Sequence, residues 1–527
     1  MKQRIYRHHT IHTGVAGAAP ASAILTQDEQ ILAIGTAEQV AAAADPSAEV
    51  IELAGAAVIP GLYDAHIHTA SLARDLDAVD LRGTSSLEQA LQRVAAHART
   101  LPAGGWLLGG RWDSNRWERP VQPDRHSLDL LCPDRPVLLS SLDGHTSWVN
   151  SRALERAAIT ADSADPIGGR IVRDRAGEPT GILREAASDA VQRAMLREHR
   201  DDLPGLLRRG QDHLLSVGLT SVHDIDGEDA REGYLQLRDA GELKLRVHKA
   251  IPVSHLDAAI AAGRRTGDGD DWVSTGPVKI FGDGALGSHT CQMSTAFVGD
   301  PGNTGIAVTP FTDIVERAST AVTAGIAVAT HAIGDRANQL VLDAYQQIAG
   351  DVPPGLRLRI EHTQYQRPAD VGRMAELGVI ASMQPTHCTT DYDLAEQLLA
   401  GHDIVAYAWR SLLDAGVPLA FGSDAPVEDP NPFEGLYAAI TRSRANGRPP
   451  GGWQPEQRLT PAEALSAYTM GAAFAAGQDA RKGVLTVGRL ADFVAVDTDP
   501  LTAPPAQIRT TAVLSTVVGG RIRWQRS

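Results

Sequence analysis

The chain has 527 residues, 43% hydrophobic and 21% charged, which excludes a disordered polymer and provides for a sizeable core. Its formal charge of −15, from 49 basic and 64 acidic residues, argues against a nucleic-acid or anionic-membrane surface, because both need clustered Lys and Arg. Cys132, Cys291 and Cys388 are too scattered for a disulfide framework. With a polar N-terminus and no apolar run of about 18 residues, they fit a cytoplasmic protein.

Residues 4–53 read as short strands, at 21–25, 31–35 and 50–53, with one helical stretch at 37–44. Further strands are expected at 483–485, 492–497 and 511–524, so residues 1–57 and 483–527 are expected to form one composite β-sandwich domain. Residues 58–482 lie between them. An apolar run at 56–59 leads into Pro60-Gly61-Leu62-Tyr63-Asp64-Ala65-His66-Ile67-His68, read as one buried strand with two histidines at its carboxyl end. Strand-length apolar runs follow at 218–225, 244–251, 276–281, 326–331, 356–362, 379–384 and 417–422, with helical periodicity at 204–217, 227–240, 313–324, 335–348 and 369–377. Eight alternating β and α units predict a closed (β/α)8 barrel, with an open doubly wound sheet as the alternative. The first unit is oversized, and residues of about 106–200 are expected to be an insertion serving as a lid, a substrate wall or an inert decoration.

Side chains two apart on a strand share a face, so His66 and His68 aim two imidazoles at one point. Barrel chemistry occurs at the carboxyl ends of strands. There the same reading places Lys279 in the fourth strand, His331 and His362 at the ends of the fifth and sixth, and Asp424 after the eighth. Taken singly, a strand-end histidine is an ordinary core residue, Lys279 a salt-bridge partner and Asp424 a turn cap. Together the six converge on one rim, which is the expectation for a shared metal site.

The motifs at 58–68, Lys279-Ile280-Phe281-Gly282-Asp283-Gly284-Ala285-Leu286-Gly287, His331-Ala332-Ile333-Gly334-Asp335, Gly422-Ser423-Asp424-Ala425-Pro426, Lys482-Gly483-Val484-Leu485 and Gly488-Arg489-Leu490-Ala491-Asp492 carry a family likeness. In this order they resemble the metal-dependent amidohydrolase superfamily, within it the amidohydrolase 3 branch of YtcJ-like proteins and N-substituted formamide deformylases. The resemblance implies a distorted (β/α)8 barrel with a flanking β-sandwich. It also implies one or two divalent ions, zinc before iron or manganese. His66 and His68 would hold one ion with Asp424, and His331 and His362 the second. Lys279, carboxylated by carbon dioxide, would bridge them.

The expected activity is hydrolysis of a C–N bond in an amide-like, N-acyl or N-formyl small molecule, with Asp424 moving the proton. A deaminase, a cyclic-amide hydrolase or a lactonase would use the same site, and a scaffold that has lost catalysis is the rival of another class. Trp112, His145 and His387 are candidate substrate contacts, each with a structural role as the alternative. Cys388 has no evident activating partner and is set aside as a nucleophile. A homo-oligomer is compatible with the sequence.

Overall fold

The computed structural model describes residues 2–101, 104–114, 117–119, 121–141, 146–166, 169–198 and 202–527. The chain divides into two compact units, Met1–Ser71 with Leu207–Ser527, and Leu72–Leu206.

In the first unit a strand occupies Gln3–Ile11, where polar residues mask a buried set of Ile5, Tyr6, His8 and Ile11. It runs antiparallel to Ala21–Gln27 and parallel to Glu49–Glu52. From the other end of the chain come Phe493–Val496, Val513–Val518 and Arg521–Gln525, which join the same eight-stranded sheet through Ala57–Pro60. Tyr6 meets Phe493 edge-on at 5.0 Å, within a core that includes Ile24, Ile31, Val58 and Val517. The apolar run at 56–59 therefore serves this terminal sheet and is not the first barrel strand. Gly61 makes the break: its N–H donates to the Asp492 carbonyl at 2.9 Å, and a Cβ there would lie 2.4 Å from Thr220 Oγ1.

Eight parallel strands follow, numbered here β1 Leu62–Ile67, β2 Leu219–Asp224, β3 Arg246–Pro252, β4 Val273–Phe281, β5 Val328–Ala332, β6 Leu358–His362, β7 Ile380–Met383 and β8 Leu419–Phe421. They are hydrogen-bonded in that order. Just beyond β8 the Asp424 N–H donates to the His66 carbonyl at 2.7 Å, and the His68 N–H to the Ala425 carbonyl at 2.9 Å, closing the ring. Gly422 permits this seam, because a Cβ there would stand 2.5 Å from both Asp64 Oδ1 and the His66 nitrogen. Register levels the rim: Phe281 pairs with His331, and Ala332 with His362. Helices Glu228–Asp239, Phe311–Thr323, Asp335–Ile348 and Pro368–Glu376 lie between strands in the chain, as the 3.6-residue periodicity predicts. Asp335–Ile348 buries Val341, Leu342 and Tyr345, and the Tyr345 hydroxyl donates to Thr330 Oγ1 at 2.8 Å.

The buried strand residues include many polar groups where branched aliphatics usually fill a barrel: Tyr63, Ser221, His223, His248, Ser274 and Arg359. They are hydrogen-bonded. Lys482 Nζ donates to the Tyr63 hydroxyl at 3.0 Å, His248 Nδ1 meets Ser274 Oγ at 3.0 Å, and Arg359 donates to His223 Nδ1 at 2.6 Å.

The second unit is wider than the insertion expected at about 106–200. Its six-stranded sheet includes Val79–Asp80, paired with Gly109 and Gly110, and the helix Leu87–Ala98 buries Ala90 and Val94 in the same core. That core contains Trp112, Trp117 and Trp148. No helix among the described residues is long and apolar enough to cross a membrane.

Candidate metal centre

Strand ends and ring closure bring together five of the six expected ligands through direct contacts. His66 Nε2 and His68 Nε2 lie 3.5 and 3.4 Å from the same oxygen, Asp424 Oδ1. The His66 and His362 rings are 4.8 Å apart, and those of His362 and His331 4.5 Å. His66, His362 and Asp424 present ligand atoms all within 4.8 Å of one another. Lys279 enters from β4 on the face it shares with Phe281, and its Nζ lies 4.6 Å from the Phe281 ring, which in turn faces His331 at 5.6 Å.

The donor set suits a divalent cation of the zinc type: imidazole nitrogens with a carboxylate oxygen. Among the buried atoms there without a hydrogen-bond partner in the described residues are His66 Nε2 and Lys279 Nζ. An unpaired buried polar atom costs about 1–3 kcal/mol unless something else engages it. A bound ion would engage the imidazole, and a carbamate would convert the lysine into a ligand. Backbone strain gathers at the same place, with φ of +73° at His362, +48° at Thr363 and +60° at Asp424.

Protonation follows from burial and neighbours. Burial pushes His66 down to about 4 and His362 well below its ordinary value, so both are neutral and able to bind metal. Burial also lowers Lys279, to about 8. Burial opposes ionisation of Asp424, yet His68, His66 and His362 outweigh it and hold the carboxyl well below its usual range. For His68, burial is outweighed by Asp226 and Asp424, which raise it to about 9.

Each of the four histidines is also oriented by a further group that strand reasoning missed. His66 Nδ1 lies 2.5 Å from Glu361 Oε2, and His68 Nδ1 lies 3.0 Å from Asp226 Oδ1. His362 Nδ1 faces Gln384 Oε1 at 2.8 Å, and His331 Nε2 faces the Gly284 carbonyl at 3.2 Å. Glu361 and Asp226 were visible as acidic residues at the ends of apolar strands. Nothing in the spacing says which histidine each would meet.

The three expected substrate contacts fare differently. His387, at the start of the helix Pro385–Leu398, stacks on His362 at 6.1 Å with its Nε2 3.8 Å from Asp424 Oδ2. Trp112 is a core residue of the second unit, the structural alternative to a substrate contact. It is 3% exposed, donates from Nε1 to the Leu139 carbonyl and meets Trp148 edge-on, because its strand turns that face inward. His145 lies outside the described residues. Cys388 is fully buried, and burial pushes its thiol up to about 11, which is no environment for a nucleophile.

The amidohydrolase family model Amidohydro_3 matches residues 49–523. The chain belongs to the amidohydrolase family. It is 32% identical to protein LONG AFTER FAR-RED 3 of Arabidopsis thaliana, over 97% of this chain and 90% of that one. It is 30% identical to the putative amidohydrolase YtcJ of Bacillus subtilis, over 98% of both, and 29% identical to the N-substituted formamide deformylase of Arthrobacter pascens, over 100% and 99%. Among solved structures it is similar to an uncharacterized metal-dependent hydrolase from Pyrococcus furiosus, with a TM-score of 0.78 and 27% identity over 95% of this chain and 100% of that one. The family match and the metal-dependent hydrolase neighbour accord with the barrel and with a candidate metal-binding group of His66, His362 and Asp424.

Proposed function

We propose that this amidohydrolase hydrolyses a carbon–nitrogen bond in a small amide-like, N-acyl or N-formyl molecule. The observation that carries the reading is the convergence of His66, His68, His331, His362 and Asp424 beside the unpaired Nζ of Lys279. These residues would hold one or two divalent ions, zinc first. The buried lysine, lowered to about 8, has a substantial neutral fraction near that pH, and only a neutral amine adds carbon dioxide to form the bridging carbamate. When bound, a divalent ion supplies water activated at neutral pH and a Lewis acid for the substrate carbonyl.

The chain's own groups do the rest. Asp424, held ionised, accepts a proton from the attacking water and delivers it to the leaving nitrogen. His387 presents Nε2 beside that carboxylate and orients the polar end of the substrate. The likeness to a relative named as an N-substituted formamide deformylase favours the amide reading over deamination, cyclic-amide opening or lactone hydrolysis. Free buried cysteines accord with a reducing cytoplasm.

Metal-loaded protein tested against N-formyl, N-acyl, cyclic-amide and lactone panels decides the reaction. Turnover confined to lactones or cyclic amides would overturn the proposal. Protein without stoichiometric metal or chelator-sensitive hydrolysis would be a scaffold. A Lys279→Ala variant retaining two ions and full activity would remove the bridge from the account.

A further inference from the structure

At the carboxyl end of β7 the chain passes straight into a helix beside the candidate metal centre. Gln384 follows the strand, and Pro385 opens the 14-residue helix Pro385–Leu398. Gln384 occupies the capping position, but its side chain makes no capping bond to that helix. Its Oε1 lies 2.8 Å from His362 Nδ1 instead. An amide oxygen only accepts, so His362 Nδ1 donates and Gln384 Nε2 is left with donor hydrogens alone. Gln384 is 1% exposed, and this Nε2 has no partner among the described residues. The same holds for two further buried atoms of the first turn, Thr386 Oγ1 and His387 Nε2. His387 stacks on His362 at 6.1 Å, and its Nε2 stands 3.8 Å from Asp424 Oδ2, beyond hydrogen-bond distance. No acidic residue in the first turn offsets the partial positive charge of the helix N-terminus.

Buried polar atoms are ordinarily paired, so three unpaired side-chain atoms within four consecutive residues call for a ligand group. Donors gathered at a helix N-terminus suit an anionic oxygen group. A plain N-alkylformamide cannot supply one. It has a single oxygen, which the reading above places at the cation. A second oxygen group on the same substrate can reach the remaining donors. We propose that residues 384–387 form a carboxylate subsite, which makes the substrate an N-formyl or N-acyl amino acid. Gln384 Nε2, Thr386 Oγ1 and His387 Nε2 donate to the carboxylate, and the helix N-terminus offsets its charge. The inference rests on the amide reading above and names its substrate class.

The test gives metal-loaded, full-length protein matched sets of compounds: racemic N-formylleucine, its carboxamide and N-isopentylformamide, which lacks the carboxylate, then N-formylphenylalanine, its carboxamide and N-phenethylformamide, and the N-acetyl counterparts of both sets. For at least one set, kcat/KM for the acid should exceed that for the compound without a carboxylate by at least about 100-fold, with the carboxamide between them. Gln384→Glu keeps an oxygen for His362 Nδ1 but replaces the donor with an anion. It should raise KM for the acid about 10–100-fold with metal content unchanged. Thr386→Val, at a half-buried position, should lower the preference about tenfold, and it serves as the test if the first variant does not fold. Equal kcat/KM with and without the carboxylate, a carboxamide as good as the acid, turnover confined to amides lacking a carboxylate, or a preference that folded variants leave intact would overturn the subsite while leaving a C–N hydrolase. Failure to hydrolyse any N-formyl or N-acyl compound would overturn the amide reading itself.

Discussion

Gly422→Ala tests whether the barrel seam builds the metal centre. The added methyl would lie 2.5 Å from Asp64 Oδ1 and from the His66 nitrogen, and 3.1 Å from the Ala65 nitrogen. Ordinary contact begins near 3.4 Å, so the seam must open by roughly 0.9 Å. Two of the three obstructing atoms are backbone, and the third belongs to a carboxylate already accepting from the N–H groups of His66 and Ser423 at 3.0 Å. None can rotate away. Overpacking of this kind costs about 1–3 kcal/mol, and for a chain of this length about 1 °C of melting temperature accompanies each kcal/mol. The larger effect falls on the site, since Asp424, two residues on, hydrogen-bonds the His66 backbone and faces both imidazoles. Calorimetry should show a fall of about 1–3 °C, with metal affinity down at least about tenfold. Gly372→Ala is the control: it lies in the helix Pro368–Glu376 with nothing within 4 Å of its Cβ, so alanine should be neutral or slightly stabilising. If Gly422→Ala melts with the control and binds metal like the parent, the seam argument is wrong.

Other outcomes follow from single residues. Burial pushes Lys482 down to about 7, so between that pH and the unfolded value near 10.4 the unfolded chain binds more protons and this group's contribution to stability rises with pH. Lys482→Met should therefore melt above the parent at pH 7 and lose that advantage toward pH 10; a difference constant with pH would contradict the cause. Cys388→Ala should retain full turnover, and iodoacetamide should leave the folded parent active, because the thiol is buried and its pKa raised to about 11. Trp112→Phe should lower the melting temperature of the Leu72–Leu206 unit with KM unchanged, given the lost hydrogen bond to Leu139 and the tryptophan cluster around it; a rise in KM without loss of stability would return Trp112 to the substrate. His387→Gln should raise KM several-fold while metal content stays constant, and loss of an ion would make it a ligand instead.

What was legible in the sequence depended on how local the cause was. The barrel strands are buried on both sides, so β4, β5 and β6 show as apolar runs, and Lys279, His331 and His362 stand out as polar breaks near their carboxyl ends. His66 and His68 are paired by strand parity alone. Gln3–Ile11 was hidden because arginines and histidines interrupt its apolar set, and it is recognisable as a strand only beside Ala21–Gln27 and Glu49–Glu52. The apolar residues before Pro60 and the histidines after it look continuous, yet they serve two sheets, because Ala57–Pro60 has Phe493–Val496 as its partner far along the chain. Glu361 with His66, Asp226 with His68 and Gln384 with His362 are likewise products of tertiary closure, and no spacing rule reaches them.

The seam between β1 and the segment after β8 also carries a consequence for biosynthesis. His66 is translated early and Asp424 late, and the bond from the Asp424 N–H to the His66 carbonyl joins them. A nascent chain can present its histidine pair long before the carboxylate exists, but it cannot offer the full set of ligands. An ion held by these residues would therefore certify a finished barrel, and truncated chains would lack the stabilisation it would give complete ones.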